Sequence, residues 1–364
     1  MSNAAVAVTV FVVTLSTSVI FVLKTTDMFA RLGLVDLPGP RRVHKRPVPR
    51  GLGVAIFLAF LVGVGASYIL DVPRQSRETE RILLMVIGSA IIVGVMLVDD
   101  AIQLGPITKL GWQLLAAAMV ILPRLRGEGH GIVIEQFNSP FGGRITLPLV
   151  IALGFTFFWL VGMMNVMNWV DGLDGLAGTV TLVACAVLFV HTYFGPEGRP
   201  QFTISILPLA LAAAIIGFLP FNWHPAKVIM GDAGAMFLGF ALAVISIIGG
   251  AKLATALLAL GLPILDGAWV ILFRTIHGRS PLYADRGHLH HRLLDGGWSQ
   301  QQIVLFVGGM SALFGFGALL LPSRELKLLA LISVGIVLVA IIALLAQRSR
   351  RLAARVTSQQ QTGD

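Results

Sequence analysis

The chain of 364 residues alternates between long apolar runs and short breaks rich in charge, Pro or Gly. A bilayer core about 30 Å thick is crossed by about 20 apolar residues in an α-helix. A helix satisfies its own backbone hydrogen bonds inside lipid, so runs of this length predict membrane helices. We predict eleven spans, at residues 4–23, 51–70, 82–98, 107–122, 147–166, 174–194, 203–219, 233–250, 253–273, 302–321 and 326–346.

The composition agrees with this pattern. Hydrophobic residues make up 56% of the chain and charged residues only 12%, with a mean hydropathy of +0.86. Soluble domains carry about 25% charged residues. The expected fold class is therefore an all-α polytopic membrane protein, with one integral-membrane domain over 1–347 and a basic, polar cytoplasmic tail over 348–364.

The charge and the cysteine content narrow the range of partners. The net charge is +9 and the pI is near 10.4. Lys and Arg lie in short loops between apolar runs, which favours anionic lipid headgroups and phosphorylated substrates over nucleic acid. The single cysteine, Cys185, lies inside an apolar run. This excludes a disulfide framework and a cysteine metal site.

The distribution of basic residues predicts the orientation. An odd number of spans places the termini on opposite sides. With the N-terminus outside, 17 of the 27 Lys and Arg fall on the inside. The positive-inside rule therefore predicts an external N-terminus and a cytoplasmic C-terminus. In this orientation Asp99–Asp100, residues 165–174, Asp232 and residues 288–292 all lie on the cytoplasmic face.

One outer loop predicts a small β-hairpin. Within residues 130–149, Ile132–Val133–Ile134 is strand-like, residues 138–143 form a turn, and residues 144–147 form the returning strand. We assign this hairpin no chemistry.

The polar stretch from 165 to 178 reads N-V-M-N-W-V-D-G-L-D-G-L-A-G. It spaces two amides and two carboxylates three residues apart: Asn165, Asn168, Asp171 and Asp174. On a straight helix this spacing slips about 60° per step and spreads the four groups over half the circumference. The two glycines predict instead a helix end, a tight turn and a new helix near Asp174. The four groups could then converge on one polar ligand; the alternative is ordinary helix capping.

Two further acidic motifs lie at predicted helix ends. Asp99 and Asp100 are adjacent, so one can face a ligand while the other braces the loop or shares a cation. Such oxygen ligands suit Mg²⁺; the alternative is a solvated helix end. Residues 227–234 read K-V-I-M-G-D-A-G, where Gly231 and Gly234 flank Asp232 and allow free N–H groups to face an anion. The alternative there is an N-cap aspartate.

Residues 285–292 read D-R-G-H-L-H-H-R and concentrate three of the eight histidines. A structural zinc site usually needs four nitrogen or sulfur ligands, and no fourth is evident. Imidazoles with Arg286 and Arg292 suit a loop that grips phosphate. A solvated basic loop is the alternative.

Two less specific candidates complete the set. Asp266 lies about 10 Å inside the ninth span, where Pro263 and Gly267 predict a locally opened helix. It is either a functional acid or a buried partner for Arg274. The loop at 44–53, H-K-R-P-V-P-R-G-L-G, joins basic charge to residues that stiffen the chain or allow close approach, but its charge also serves topology.

Together these motifs resemble the polyprenyl-phosphate N-acetylhexosamine-1-phosphate transferases, which are related to phospho-MurNAc-pentapeptide translocase. The similarity runs from His44 to Arg292, in family order. Its six motifs are H-K-R-P-V-P-R-G, the Asp99–Asp100 pair, N-x-x-N-x-x-D-G-x-D-G-L-A, G-D-A-G, P-x-x-D ending at Asp266, and D-R-G-H-L-H-H-R-L. The H-L-H-H form resembles the branch that uses UDP-N-acetylglucosamine or a related UDP-aminosugar. Leu52 departs from the family, which often has a second glycine there.

The resemblance implies a role for each candidate residue in one active site. Metal ligands are Asp99, Asp100, Asp171 and Asp232. Catalytic residues are Asp99, Asp100, Asp171, Asp174, His290 and His291. Substrate-binding residues are Lys45, Arg50, Asn165, Asn168, Asp171, Asp174, Asp266, Arg286, His288, His290, His291 and Arg292.

The resemblance also implies the reaction. UDP-N-acetylaminosugar and undecaprenyl phosphate, with Mg²⁺ or Mn²⁺, would give undecaprenyl-pyrophosphoryl-sugar and UMP at the inner membrane, which initiates a cell-envelope glycan. Single in-line displacement, with Asp99 or Asp100 positioning the nucleophile, is expected over double displacement through an aspartyl-phosphosugar. Transfer of phospho-MurNAc-pentapeptide, GalNAc or FucNAc phosphate remains open, as does a homodimer. A cation-coupled transporter is the alternative outside enzymes.

Overall fold

The computed structural model describes residues 1–37, 46–70, 72–139, 142–195, 200–249, 253–280, 287–321 and 323–361, the last without the side chains after 344. The helices are α1 (Asn3–Arg31), α2 (Gly53–Ile69), α3 (Ser76–Ile102), α4 (Pro106–Ile121), α5 (Leu149–Val170), α6 (Leu176–Phe194), α7 (Phe202–Asn222), α8 (Gly231–Ile248), α9 (Leu253–Ala259), α10 (Gly261–Ile276), α11 (Leu289–Asp295), α12 (Gln300–Leu320) and α13 (Arg324–Gln361), with a 3-10 turn at Leu122–Arg126. The strands are β1 (Val35–Asp36), β2 (Val48–Pro49), β3 (Gln136–Asn138) and β4 (Arg144–Thr146).

The helices confirm an all-α polytopic membrane protein. In the described part of the chain, nine helices are long and apolar enough to cross a bilayer. A tenth span is formed if α9 and α10, which are bent by 80°, count as one. The remaining predicted run, 51–70, is α2, whose 17 residues reach about 25 Å and fall short of the hydrocarbon thickness. The predicted count of eleven is therefore nine or ten by length, and the orientation stays a prediction.

The core is organised around α8. Almost every residue of this helix is buried, and it packs against α2, α3 and α5. Its contact with α2 is unusually close, since a Cβ on Gly53 would lie 2.0 Å from the Cα of Gly234. Only glycine at Gly53 lets the start of α2 lie against the start of α8.

Two short antiparallel hairpins accompany the helices. In β3–β4, Gln136 pairs with Thr146 and Asn138 with Arg144, which confirms a hairpin in this loop. Its first strand begins at Gln136, so the predicted strand at 132–134 was wrong. Ile132 and Ile134 are instead buried against the helices. The second hairpin, β1–β2, pairs Val35 with Pro49 and was not predicted.

The predicted break between the fifth and sixth spans is present. Helix α5 ends at Val170, and α6 begins at Leu176 after Gly175, whose φ of +77° suits glycine. The predicted opening beside Asp266 is displaced. The bend between α9 and α10 lies at Leu260, and Asp266 lies within continuous α10.

Candidate active site

Four carboxylates from three separate parts of the chain meet at one end of the bundle. Asp99 and Asp100 end α3, Asp171 begins the turn after α5, and Asp232 lies in the first turn of α8. They were predicted to lie together, and electrostatic coupling of Asp171 to both Asp100 and Asp232 shows that they do. We call these four the acidic cluster.

Arg50 joins two members of the acidic cluster. Its Nε donates to Oδ1 of Asp100 at 2.8 Å, and its Nη2 donates to Oδ1 of Asp232 at 3.0 Å. Nη1 also lies 3.7 Å from Oδ1 of Asp36. The Asp100 side chain is only 2% exposed. The segment before α2 therefore brings a structural cation to the cluster, in addition to any contact with substrate.

Lys109, at the start of α4, joins Asp99 to Asp232, which Arg50 also contacts. Its ammonium lies 2.6 Å from Oδ2 of Asp99 and 2.8 Å from Oδ2 of Asp232. Asp99 also accepts from the backbone N–H of Leu104 at 2.6 Å, which fixes the end of α3. The site prediction missed Lys109. Its signal was a lone ammonium group in an apolar run, one turn from the end of a span.

The Gly-Asp-Ala-Gly motif binds an anion, but that anion is a side chain of the protein. The N–H groups of Asp232 and Ala233 donate to the two oxygens of Asp100 at 3.0 and 3.3 Å. Gly231 has a φ of +74°, and a Cβ there would lie 2.4 Å from Oδ2 of Asp100. The glycine is required because the carboxylate approaches the backbone directly.

Backbone hydrogen bonds lock two of the sequence motifs together. The N–H of Ile229 donates to the carbonyl of Pro49 at 2.8 Å, and the N–H of Leu52 donates back to Ile229 at 3.1 Å. The N–H of Gly53 donates to Met230 at 2.9 Å. Arg50 and Asp232 are thus aligned by a strand-like contact between segments far apart in sequence.

Asp171 differs from the other three carboxylates. It is partly exposed, and it accepts no hydrogen bond from any residue that the structure describes. Burial raises the pKa of this carboxyl well above its usual range, and the nearby charge of Asp232 raises it further. A cation beside Asp171 would relieve both effects.

The acidic cluster is chemically suited to a hard divalent cation. Four carboxylates face two described cations, Arg50 and Lys109, which leaves an excess of negative charge in a buried place. Carboxylate oxygens are the ligands that Mg²⁺ prefers. Within the described ranges, however, no three His, Cys, Asp or Glu side chains already converge as metal ligands. Arg50 and Lys109 are bound to oxygens that a metal would compete for.

Asp174 links the turn after α5 to the loop that follows α7. Its Oδ2 accepts from Nδ1 of His224 at 2.7 Å and from the N–H of Ala226 at 3.1 Å. Its own N–H donates to Gln300 at 3.3 Å, and the next N–H, of Gly175, donates to Asn222. The prediction missed His224, Asn222 and Gln300, because no spacing in the sequence links them to the 165–178 stretch.

The histidine segment packs beside the same turn. His288 and His290 stack with ring centroids 5.9 Å apart and planes 7° apart. Nε2 of His290 is buried and has no hydrogen-bond partner in the described part of the chain, and a Cβ on Gly172 would lie 2.4 Å from it. Burial lowers the pKa of His290 well below its usual range, and His291 and His288 lower it further. His290 is therefore a neutral imidazole next to Asp171.

Comparison with known proteins decides the family. Residues 82–250 match the domain described as glycosyl transferase family 4. The chain is 33% identical over 345 residues to the probable undecaprenyl-phosphate N-acetylglucosaminyl 1-phosphate transferase of Bacillus subtilis, covering 92% of this chain and 91% of that protein. The chain belongs to glycosyl transferase family 4.

Other relatives agree. The decaprenyl-phosphate N-acetylglucosaminephosphotransferase of Mycobacterium tuberculosis is 32% identical over 316 residues, covering 79% of this chain and 76% of that protein. The undecaprenyl-phosphate alpha-N-acetylglucosaminyl 1-phosphate transferase of Salmonella typhi is 27% identical over 315 residues, covering 82% and 79%. The chain is a phosphoglycosyltransferase of family 4, which confirms the resemblance and favours an enzyme over the transporter alternative.

A groove of about 690 Å³ lies beside the acidic cluster and is lined by Lys109 and by Gly172. Its apolar part lies between α4, α5 and α10, and includes exposed Leu114, Phe158 and Ile271. Its polar part is lined by Lys109, Gln113, Asn165, Asn168, Trp169, Arg274, His288, His290 and His291. One cavity thus joins membrane-facing hydrocarbon surface to cationic and imidazole groups.

The two predicted amides lie along this groove. Nδ2 of Asn165 donates to Oε1 of Gln113 at 2.9 Å and to the carbonyl of Val161 at 2.8 Å. Asn168 lines the cavity, and no hydrogen bond of its amide to a described residue is found. Asn165 therefore braces α5 against α4, and Asn168 is the amide left for a ligand.

The remaining predicted residues are placed as follows. Oδ2 of Asp266 lies 3.0 Å from Nδ1 of His288, and Oδ1 accepts from the N–H of Leu289 at 2.9 Å. Both oxygens of Asp266 thus have partners other than Arg274, and the alternative pairing of Asp266 with Arg274 stays a prediction. Nε of Arg292 donates to the carbonyl of Gly287 at 2.8 Å. Lys45 and Arg286 lie outside the described residues.

Proposed function

We propose that this family 4 enzyme transfers N-acetylglucosamine 1-phosphate from UDP-N-acetylglucosamine to a polyprenyl phosphate, undecaprenyl phosphate in the first instance. The products are polyprenyl-pyrophosphoryl-N-acetylglucosamine and UMP. The names of the relatives support the sugar and the lipid, and the H-L-H-H motif supports an aminosugar donor. We place the site at the cytoplasmic face of the inner membrane, as the charge bias of the loops indicates.

The observation that carries this proposal is the groove. A lipid phosphate needs a site with hydrocarbon on one side and cationic or hydrogen-bonding groups on the other. The groove offers exposed apolar side chains at one end, and Lys109 and His288 at the other. The lipid tail can stay in the bilayer while its phosphate reaches Lys109, which also contacts the acidic cluster.

The main barrier is electrostatic, because a phosphate anion attacks a diphosphate anion. Phosphoryl transfer asks the protein chiefly for positioning and charge neutralisation. Lys109 and the histidine segment supply positive or hydrogen-bonding groups along the groove, and Arg50 holds Asp100 and Asp232 in place. Asp171, with its raised pKa and its unpartnered carboxylate, faces the same cluster.

A divalent cation, Mg²⁺ in the first instance, would be held by Asp171, Asp100 and Asp232. When bound it would neutralise charge on the diphosphate. The lipid phosphate has a second pKa near 6, so it is mostly dianionic at pH 7 and needs little help from a base. We therefore favour direct in-line displacement over an aspartyl-phosphosugar intermediate.

The test is release of UMP by the purified protein in detergent with Mg²⁺, undecaprenyl phosphate and a panel of UDP-GlcNAc, UDP-GalNAc, UDP-FucNAc and UDP-MurNAc-pentapeptide. We expect turnover with UDP-GlcNAc, dependent on the lipid phosphate, and its loss in Asp171→Asn. A preference for another donor would reassign the sugar. A burst of UMP without lipid phosphate, one per enzyme, would establish double displacement instead.

A further inference from the structure

Asp266 and His288 form a buried pair at the edge of the groove. Their side chains are 11% and 8% exposed, and Oδ2 of Asp266 lies 3.0 Å from Nδ1 of His288. An ionised carboxylate only accepts hydrogen bonds, so the proton between them lies on Nδ1. Oδ1 of the same carboxylate accepts from the N–H of Leu289, so both oxygens are committed.

Two ring contacts fix the plane of the His288 imidazole. His288 packs on Trp169, with ring centroids 5.5 Å apart, and stacks nearly parallel on His290. His288 lines the groove, and its Nε2 has no partner among the residues that the structure describes. With Nδ1 bound to Asp266, Nε2 is the nitrogen left for a ligand in the groove.

The neighbouring histidine cannot take this role. Nε2 of His290 is buried and closed off against Gly172, so it does not face the groove as a free nitrogen. Asp266 has no hydrogen bond to either of the other two histidines. The carboxylate thus singles out one imidazole of three.

We propose that Asp266 is a positioning residue, which fixes the tautomer and the plane of His288 so that Nε2 contacts a substrate phosphate in the groove. As the phosphate anion binds, the imidazole would take up a proton from solvent at Nε2. The imidazolium would then lie between the phosphate and the Asp266 carboxylate, as in other carboxylate–histidine pairs. The contact with phosphate rests on the proposed function; the tautomer does not.

Asp266→Asn is the sharpest variant because it keeps the shape and changes the proton. Asparagine has one carbonyl oxygen, and the N–H of Leu289 still needs it. The amide NH₂ then faces Nδ1 of His288, which must accept, so the proton moves to Nε2. The control is Glu80→Gln, which alters a second carboxylate–histidine pair, Glu80 with His130 at 2.8 Å, far from the groove.

The test combines nitrogen-15 NMR of histidine-labelled protein, in which His288→Gln assigns the signal, with steady-state kinetics. We expect the neutral His288 ring to carry its proton on Nδ1 in the wild type and in Glu80→Gln, and on Nε2 in Asp266→Asn. We also expect kcat to fall at least about tenfold in Asp266→Asn, with KM for the UDP-sugar changed less.

A wild-type ring protonated on Nε2, or a tautomer unchanged by Asp266→Asn, would overturn the proposal, as would a changed tautomer with unchanged kcat. If Asp266→Asn fails to fold, the wild-type tautomer still decides the pairing. A wild-type protein that transfers no sugar phosphate would refute the proposed function, whereas the NMR result would stand on its own.

Discussion

The two ends of α3 use charge in opposite ways. Near its N-terminus, Arg81 donates to the carbonyls of Gly131 and Gly129 at 3.1 and 3.2 Å, and Glu80 pairs with His130. At its C-terminus, Asp99 and Asp100 are buried in the acidic cluster. About 28 Å of helix separates Glu80 from Asp99.

The two ends differ in how completely their charges are compensated. At the Glu80 end each charged side chain has a carbonyl or an imidazole of its own as partner and remains partly exposed, which is how charged side chains fasten a loop. At the Asp100 end four carboxylates share Arg50 and Lys109. Buried charge without full compensation is costly, and it is typical of sites that bind a further ion or substrate.

Removal of divalent metal is expected to have the largest effect on activity, and it acts at the acidic end of α3. Because the acidic cluster has an excess of negative charge, we expect EDTA to abolish UMP release and added Mg²⁺ to restore it. Mg²⁺ should also raise the melting temperature of the wild type but not of Asp171→Asn. Full activity in EDTA would show that Arg50 and Lys109 alone balance the cluster.

Neutralising Asp100 is expected to have the second-largest effect on activity. Asp100→Asn should lower kcat by about 10²-fold or more, because the carboxylate that organises Arg50 and the start of α8 is lost from the site. Its melting temperature should change little, because loss of the ion pair with Arg50 is offset by weaker repulsion among the buried carboxylates, and the amide oxygen can still accept from Arg50 and Asp232. Glu80→Gln, at the other end of the same helix, should keep wild-type kcat. Equal losses in both variants would remove the distinction between the two ends.

Replacing Lys109 has an intermediate effect. Lys109→Met removes the ammonium that contacts both the groove and the acidic cluster, so we expect KM for the lipid phosphate to rise about tenfold or more. Lys109→Arg should recover part of the loss. Separate titrations of lipid phosphate and UDP-sugar measure the effect. A fall in melting temperature with both KM values unchanged would make Lys109 purely structural.

The sequence predicted the acidic end of α3 better than the cations that complete it. Asp99, Asp100, Asp171 and Asp232 stood out because carboxylates are rare in an apolar chain. Lys109 did not, because one lysine near a span end is also what topology requires. Its role depends on distances to Asp99 and Asp232, which only the packing of α4 against α3 and α8 determines.

The fold was likewise predicted well where the sequence signal is local and less well where distant contacts decide. Runs of apolar residues predicted every helical span, because that signal is local. The bend at Leu260 and the strand at Gln136 were displaced from their predicted positions, because tertiary contacts decide them. Ile132 and Ile134, for example, have a strand-like pattern but are buried against neighbouring helices.

The smallest expected effect is at the balanced end of α3. Arg81→Met removes two hydrogen bonds to the turn at 129–131 and should cost about 1 kcal/mol of stability, measured as a small fall in melting temperature in detergent. UMP release at a temperature where both proteins are folded should be unchanged.

Arg81→Met and Asp100→Asn thus form a reciprocal pair. Arg81→Met loses stability and keeps activity, whereas Asp100→Asn loses activity and keeps stability. That reversal is expected only if the charges at the two ends serve different purposes. An activity loss in Arg81→Met at full folding would instead mean that the turn at 129–131 is coupled to the site through α3.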